Sequence, residues 1–247
     1  MKSLWILVLG LVGLVLPPAS AQPTAAELLA AIDRNLTYEA RYARASMEVV
    51  KPRRTKTYEL QTWGRGVDDG ATEFVAPARE AGTRMLKRGD ELWMYLPTVE
   101  KTQKISGHML RQGLMGSDMS YEDLLETSSW YAMYTGQVTG VEELGGRPCW
   151  KLVLTAKDDQ VSYPKRVVWV DQGWSLPVKQ ELYALSGMLL KEWLMQDPER
   201  YGERMYPSRF VIIDKLQQDT RTTITFSDMD FGVKLDADQF SMRWLER

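Results

Sequence analysis

Glu91-Leu92-Trp93-Met94-Tyr95-Leu96-Pro97 is the stretch that decides the fold. Successive residues of a strand point to opposite faces, so Leu92, Met94 and Leu96 share one face while Trp93 and Tyr95 share the other. Both faces are apolar, whereas a sheet with one side in water alternates apolar and polar residues. This strand therefore needs cover on both sides, one from a helix and the other from a second segment or a ligand. On either side of it the period stays at two. Segments 43–50, 56–63, 72–76, 82–88 and 99–105 are short and rich in β-formers, and turn residues such as Asp69-Gly70 and Gly89-Asp90 divide them. Further strands are expected at 137–143, 149–156, 165–170, 177–185, 188–195, 206–214 and 220–227. Gly145-Gly146 and Ser186-Gly187 supply hairpin turns there, because glycine tolerates positive φ. No helical pattern separates these strands, which argues for an antiparallel meander and against βαβ units.

Helical signals occur in two places. Thr24-Ala25-Ala26-Glu27 is a capping box, followed by Leu28, Leu29, Ile32 and Leu36 at helical spacing. Residues 106–135 break the strand pattern in mid-chain, where Ser120 and Asp123 are spaced to cap a short helix. Leu235-Asp236-Ala237-Asp238-Gln239-Phe240 reads as a loop or a single turn. The expected fold is mainly β: one strongly curved antiparallel sheet with a few helices against one face.

The N-terminus carries Lys2, an apolar run from Leu4 to Leu16, and Ala19-Ser20-Ala21 at a cleavage-like position. This is the pattern of a signal peptide over residues 1–21, and the run is too short to span a bilayer comfortably. Gln22 follows where a lipoprotein would have Cys. The expectation is an exported, unanchored periplasmic protein, cleaved after Ala21, with residues 22–247 forming one domain. Charge is nearly balanced, 31 Lys+Arg against 33 Asp+Glu, which is unlike the basic surface nucleic acid requires. Cys149 is the only cysteine, so no intrachain disulfide can form, and its apolar neighbours suggest a buried, inert thiol.

The residues give little support to catalysis. His108 is the only histidine, and the chain has no Gly-x-Ser-x-Gly elbow, dinucleotide-binding glycine motif or P-loop. Metal sites want clusters of His and Cys, and one of each, far apart in sequence, is poor evidence for one. Asp118, Glu122, Asp123 and Glu126 cluster, but on a short helix such acids commonly form a solvated face and a cap. A hydrolase built on them is the weakest of the functional readings.

What the chain does offer is apolar material beyond the needs of a small β protein. Residues 107–119 contribute Met109, Leu110, Leu114, Met115 and Met119 between glycines. Methionine gives adaptable contact surface, so the segment suits a lid over an apolar cavity as well as it suits an ordinary core plug. With apolar residues on its concave side, a curved antiparallel sheet can hold lipids.

Leu92-Trp93-Met94-Tyr95-Leu96-Pro97-Thr98-Val99-Glu100-Lys101 resembles a strand pair of the LolA/LolB-like proteins, periplasmic carriers that move lipoproteins to the outer membrane. Gly116-Ser117-Asp118-Met119-Ser120-Tyr121-Glu122-Asp123-Leu124 resembles a segment of the outer membrane lipoprotein-sorting branch, and 235–240 is similar to how those chains end. The resemblance spans residues 22–247. It implies an incomplete β-barrel whose helices cover the concave face, with neither metal nor cofactor: a non-enzymatic binding protein that holds a lipid or a lipoprotein acyl chain in a hydrophobic cavity. The partners it implies are an inner-membrane RND-type exporter and an outer-membrane acceptor. The sorting carrier has an Arg-Pro whose arginine holds its lid closed; this chain reads Trp63-Gly64-Arg65-Gly66-Val67, without the proline. The residues expected to line the cavity or its lid are Trp63, Phe74, Met85, Trp93, Tyr95, Met109, Leu110, Leu114, Met115, Leu124 and Leu125. The alternative is a regulatory binding module, similar to envelope-stress sensors that dock on an inner-membrane signalling protein.

Overall fold

A computed structural model describes residues 22–126, 129–159 and 161–247; the expected signal peptide lies outside them. Thirteen strands form one curved, unclosed antiparallel sheet. They are β1 (Ala40–Lys51), β2 (Arg54–Arg65), β3 (Asp69–Ala76), β4 (Arg84–Arg88), β5 (Glu91–Leu96), β6 (Lys101–Ile105), β7 (Tyr134–Leu144), β8 (Arg147–Ala156), β9 (Lys165–Asp171), β10 (Pro177–Tyr183), β11 (Leu189–Tyr201), β12 (Arg204–Asp214) and β13 (Arg221–Asp230). Their spatial order is β6-β5-β4-β3-β2-β1-β13-β12-β11-β10-β9-β8-β7. Pairing of β1 with β13 joins the two ends of the meander, and β6 and β7 are left as the free edges. Between those edges the chain leaves the sheet, and the described residues 106–126 and 129–133 lie over the concave face.

Each expected strand is present. Asp69-Gly70 is a correction: it is the start of β3, paired with Arg65 and Gly64, and the turn lies at 66–68. Arg65 reaches across that pair to the Asp69 carboxylate (2.6 Å). Gly145 and Gly146 do form a two-residue hairpin, with φ of 58° and 77°, the primed-turn geometry that matches strand twist.

Helix α1 (Ala25–Leu36) starts at the expected capping box. Thr24 Oγ1 accepts from the Glu27 N–H (3.2 Å), and Glu27 accepts from the Thr24 N–H (2.8 Å). Its apolar stripe, Leu28, Leu29 and Ile32, buries against Leu152, Leu154, Val168 and Val170 on the concave side of β8 and β9. The helix therefore shares a face with residues 106–126 and does not cover the far side of β5. That far, convex side is covered by the C-terminus. Residues Ala237–Phe240 form a 3-10 turn and Met242–Leu245 a short helix. Phe240, Trp244 and Leu245 are buried there on Ala71 and Leu86. The single turn expected at 235–240 is present as Ala237–Phe240, and with Met242–Leu245 it makes a second cap.

Candidate ligand cavity

The concave face carries two apolar clusters. One is the α1 cluster; the other joins β1–β6 to β12 and β13 through Met47, Tyr58, Phe74, Met85, Leu92 and Met94. Over the second lies the lid, with 3-10 turns at Gly107–Arg111 and Leu114–Gly116 and helix α2 (Tyr121–Leu125). Beneath the lid is a cavity of about 260 Å³, floored by Ala45, Met47, Leu60, Met85 and Leu92 and roofed by Leu114, Met119 and Leu124. A second chamber of about 220 Å³ lies toward β9–β11 and is more polar, bordered by Glu126, Tyr163, Arg166 and Gln180. Tyr38, Arg41, Asp123, Trp193, Tyr206 and Phe210 border both, so the two chambers meet at a common wall. Gly64, opposite Arg41 on β2, keeps this wall open, since a Cβ there would lie 2.7 Å from the Tyr38 ring.

The lid is pinned by three carboxylates that pair with cations on three different strands. Asp118 has a fully buried side chain, accepts from Lys51 on β1 (3.0 Å), and also accepts from Thr220 (2.6 Å) and Thr222 (2.7 Å). Asp123 pairs with Lys191 on β11 and accepts from the Tyr163 hydroxyl (2.6 Å). Glu126 pairs with Arg166 on β9. Arg166 also donates to the Tyr134 hydroxyl (2.7 Å) and to Gln180 (3.2 Å). Burial raises the Glu126 carboxyl above the ordinary glutamate range, with Arg166 opposing it. Burial also pushes the Tyr134 phenol up to about 12.

These positions correct the expectation of a solvated acidic face. Ser120 and Asp123 do form a capping box on α2, but Asp118, Asp123 and Glu126 are buried fasteners. Among the described residues, no group of three or more His, Cys, Asp or Glu is placed to hold a metal ion. Cys149 is buried on the convex side beside Val167 and Trp169, and burial raises its thiol.

Of the eleven residues expected at the cavity, the five on strands divide by parity and the six of the lid segment pack from above. Met85, Leu114 and Leu124 border the apolar chamber. Phe74 is fully buried beneath it, edge-on to Tyr58 with ring centroids 5.8 Å apart. Met109, Leu110, Met115 and Leu125 pack on the same cluster from the lid side. Trp93 and Tyr95 are corrections: they face the convex side and pack against the C-terminal cap. Trp63 touches the chamber's border, but its ring packs tilted against Tyr42 (centroids 5.7 Å apart) and edge-on to Trp244 (5.8 Å) on the convex side. The reading in which both faces of β5 are apolar was sound; one face is cavity floor and the other is cap seat. No local pattern brings Arg41, Trp193, Tyr206 and Phe210 together, because their convergence depends on the β1–β13 closure.

A family model described only as an uncharacterized protein matches residues 66–247. The chain belongs to that family, and its fold is that of the LolA superfamily. Among solved structures, a DUF1329 family protein from Desulfovibrio piger superposes with a TM-score of 0.82 at 22% identity, covering 89% of this chain and 97% of that one. A putative outer membrane lipoprotein-sorting protein domain from Vibrio parahaemolyticus gives 0.79 at 24% identity, covering 90% and 98%. A LolA superfamily protein from Nitrosomonas europaea gives 0.76 at 25% identity, covering 91% and 100%. A search of curated proteins gave no match. The LolA-type sheet thus accounts for nearly the whole length of each relative. Among the described residues, no helix is long and apolar enough to cross a membrane.

Proposed function

We propose that this LolA-type chain is a periplasmic carrier that holds the acyl part of a lipid or lipoprotein beneath its lid, without catalysis. The observation that carries this is the apolar chamber: the concave face of β1–β5 is left unfilled by the protein's own helices, and Leu114, Met119 and Leu124 roof it. Each methylene moved from water into such a chamber contributes about 0.8 kcal/mol, so an acyl chain supplies substantial affinity. At about 260 Å³ the chamber lies just below the usual range for drug-sized ligands, roughly 300–1,000 Å³. One chain segment fits the closed lid; a second requires the lid to lift on its three ion-paired fasteners. The partners this reading assigns are an RND-type exporter in the inner membrane and an acceptor at the outer membrane, with export through a leader cleaved after Ala21.

The test is extraction of the protein purified from its native envelope, with mass spectrometry of the solvent phase. Acyl-bearing molecules at a defined stoichiometry are expected. An empty extract, together with no binding of a fluorescent fatty acid, rules the reading out.

A further inference from the structure

We propose that the wall between the two chambers is a receptor for the anionic head of an amphiphile, with the Arg41 guanidinium and the Trp193 indole N–H as its donors. The proposal rests on the carrier reading and adds the class of ligand: an acyl chain ending in carboxylate or phosphate. Arg41 lies on the concave face of β1. Its guanidinium carbon sits 4.9 Å from the centre of the Tyr38 ring and 5.3 Å from that of Phe226. One terminal nitrogen donates to the Tyr206 hydroxyl (3.0 Å), but Nε is buried with no acceptor. Among the described residues, no carboxylate lies within 4.0 Å of this cation. The Trp193 indole N–H, on β11, is likewise buried without an acceptor.

Buried N–H groups are nearly always satisfied, and a buried cation is normally paired, so each exception needs an explanation. Here two exceptions border the same pair of chambers. The nearby acids do not answer them. Asp123 is held by Lys191, Tyr163 and the Ser120 N–H, while Asp69 is held by Arg65. Across the β1–β2 pair Arg41 faces Gly64, so no β2 side chain covers the guanidinium. The aromatic rings around Arg41 limit its hydration and strengthen any charge-assisted hydrogen bond made there. An anionic oxygen at this wall satisfies the donors and neutralises the charge, and its acyl tail enters the apolar chamber that opens from the same wall.

The experiment uses the mature chain, residues 22–247, with N-phenyl-1-naphthylamine as a neutral fluorescent reporter. Two pairs of competitors share a tail and differ in charge: palmitate against hexadecanol, and palmitoyl lysophosphatidate against monopalmitoylglycerol. In the native protein the charged member of at least one pair is expected to displace the reporter at a concentration about tenfold lower, the scale of a buried charge-assisted hydrogen bond. Preference for palmitate identifies a carboxylate head and preference for lysophosphatidate a phosphate head; either supports the proposal. Arg41→Met is expected to bring charged and neutral members level, and Trp193→Phe, which keeps the ring and removes the donor, to narrow the gap about threefold. Equal displacement by charged and neutral members in the native protein overturns the proposal while leaving the carrier reading intact. Failure to bind the reporter and all four competitors overturns both.

Discussion

The two halves of the concave face solve the same problem in opposite ways. Under α1, a regular amphipathic helix presses Leu28, Leu29 and Ile32 onto β8 and β9, and the Arg166 network borders the smaller, more polar chamber beside it. Under the lid, a segment of 3-10 turns and one short helix spans the other half without filling it. A regular helix presents a continuous stripe that meets a sheet along its length. A glycine- and methionine-punctuated segment touches down at separate points, which here are carboxylates paired with cations on β1, β11 and β9. The helix-packed half gives rigidity, and the spanned half holds the apolar chamber. Stability and ligand binding are therefore expected to respond to different residues.

The largest effect is expected at the Arg166 network, beside the helix-packed half. Arg166→Met removes the partner of a buried carboxylate and leaves three acceptors without their donor, a loss of about 3–5 kcal/mol of stability by urea unfolding. The loss depends on pH. Burial already holds the Glu126 carboxyl above its ordinary range, and without Arg166 it is held higher still. A carboxyl whose folded-state pKa is raised contributes stability below its unfolded pKa and loses it as pH rises through the folded value. The deficit of Arg166→Met is thus expected to be greatest at neutral pH and to shrink toward pH 4. A pH-independent deficit breaks this account of the network.

In the spanned half the volume itself is the target. Ala45 lies on the chamber floor, and Ala45→Phe directs a ring into open space instead of a packed core. Overpacking a filled core costs about 1–3 kcal/mol. Here stability is expected to change by less than about 1 kcal/mol, while fluorescent fatty-acid binding weakens at least tenfold. A large stability loss with unchanged binding means that the chamber is ordinary core. Asp118→Asn then probes the fasteners. It weakens the hold of Lys51, Thr220 and Thr222 on the lid, with about 1–3 kcal/mol of local stability at stake. Faster hydrogen exchange at amides 113–120, with protection under α1 unchanged, is the expected pattern.

Much of this architecture was legible in the sequence, and the rest was not for definite reasons. The thirteen strands show in the period-two pattern and its turns, and the Thr24–Glu27 cap shows in four residues. The 91–96 stretch correctly demands cover on both sides, but periodicity carries no label for inside and outside. Leu92 and Met94 took the concave side, and Trp93 and Tyr95 the convex one. Nor does the pattern at Asp118, Asp123 and Glu126 show burial, because their partners Lys51, Lys191 and Arg166 lie far away along the chain and meet them only once the sheet curves. The junction residues Arg41 and Trp193 sit on β1 and β11, and only the β1–β13 closure turns them toward one cavity.

The smallest effect tests that assignment of faces. Trp93 is half-buried on the convex side, packed on the Phe240–Trp244 cap with the Lys104 ammonium 5.6 Å from its ring centre. Trp93→Leu keeps an apolar group on that face and surrenders part of the ring's contact with the cap, so a loss of about 1 kcal/mol is expected. Fatty-acid affinity is expected to stay within about twofold, because the floor residues Leu92 and Met85 point the other way. The same substitution therefore separates two descriptions of β5. If Trp93→Leu weakens binding as strongly as Ala45→Phe, the ring reaches the ligand, and the division into cavity floor and cap seat is wrong. If it lowers only stability, the apolar residues of β5 are accounted for by two separate neighbours, the ligand chamber on one face and the chain's own C-terminus on the other.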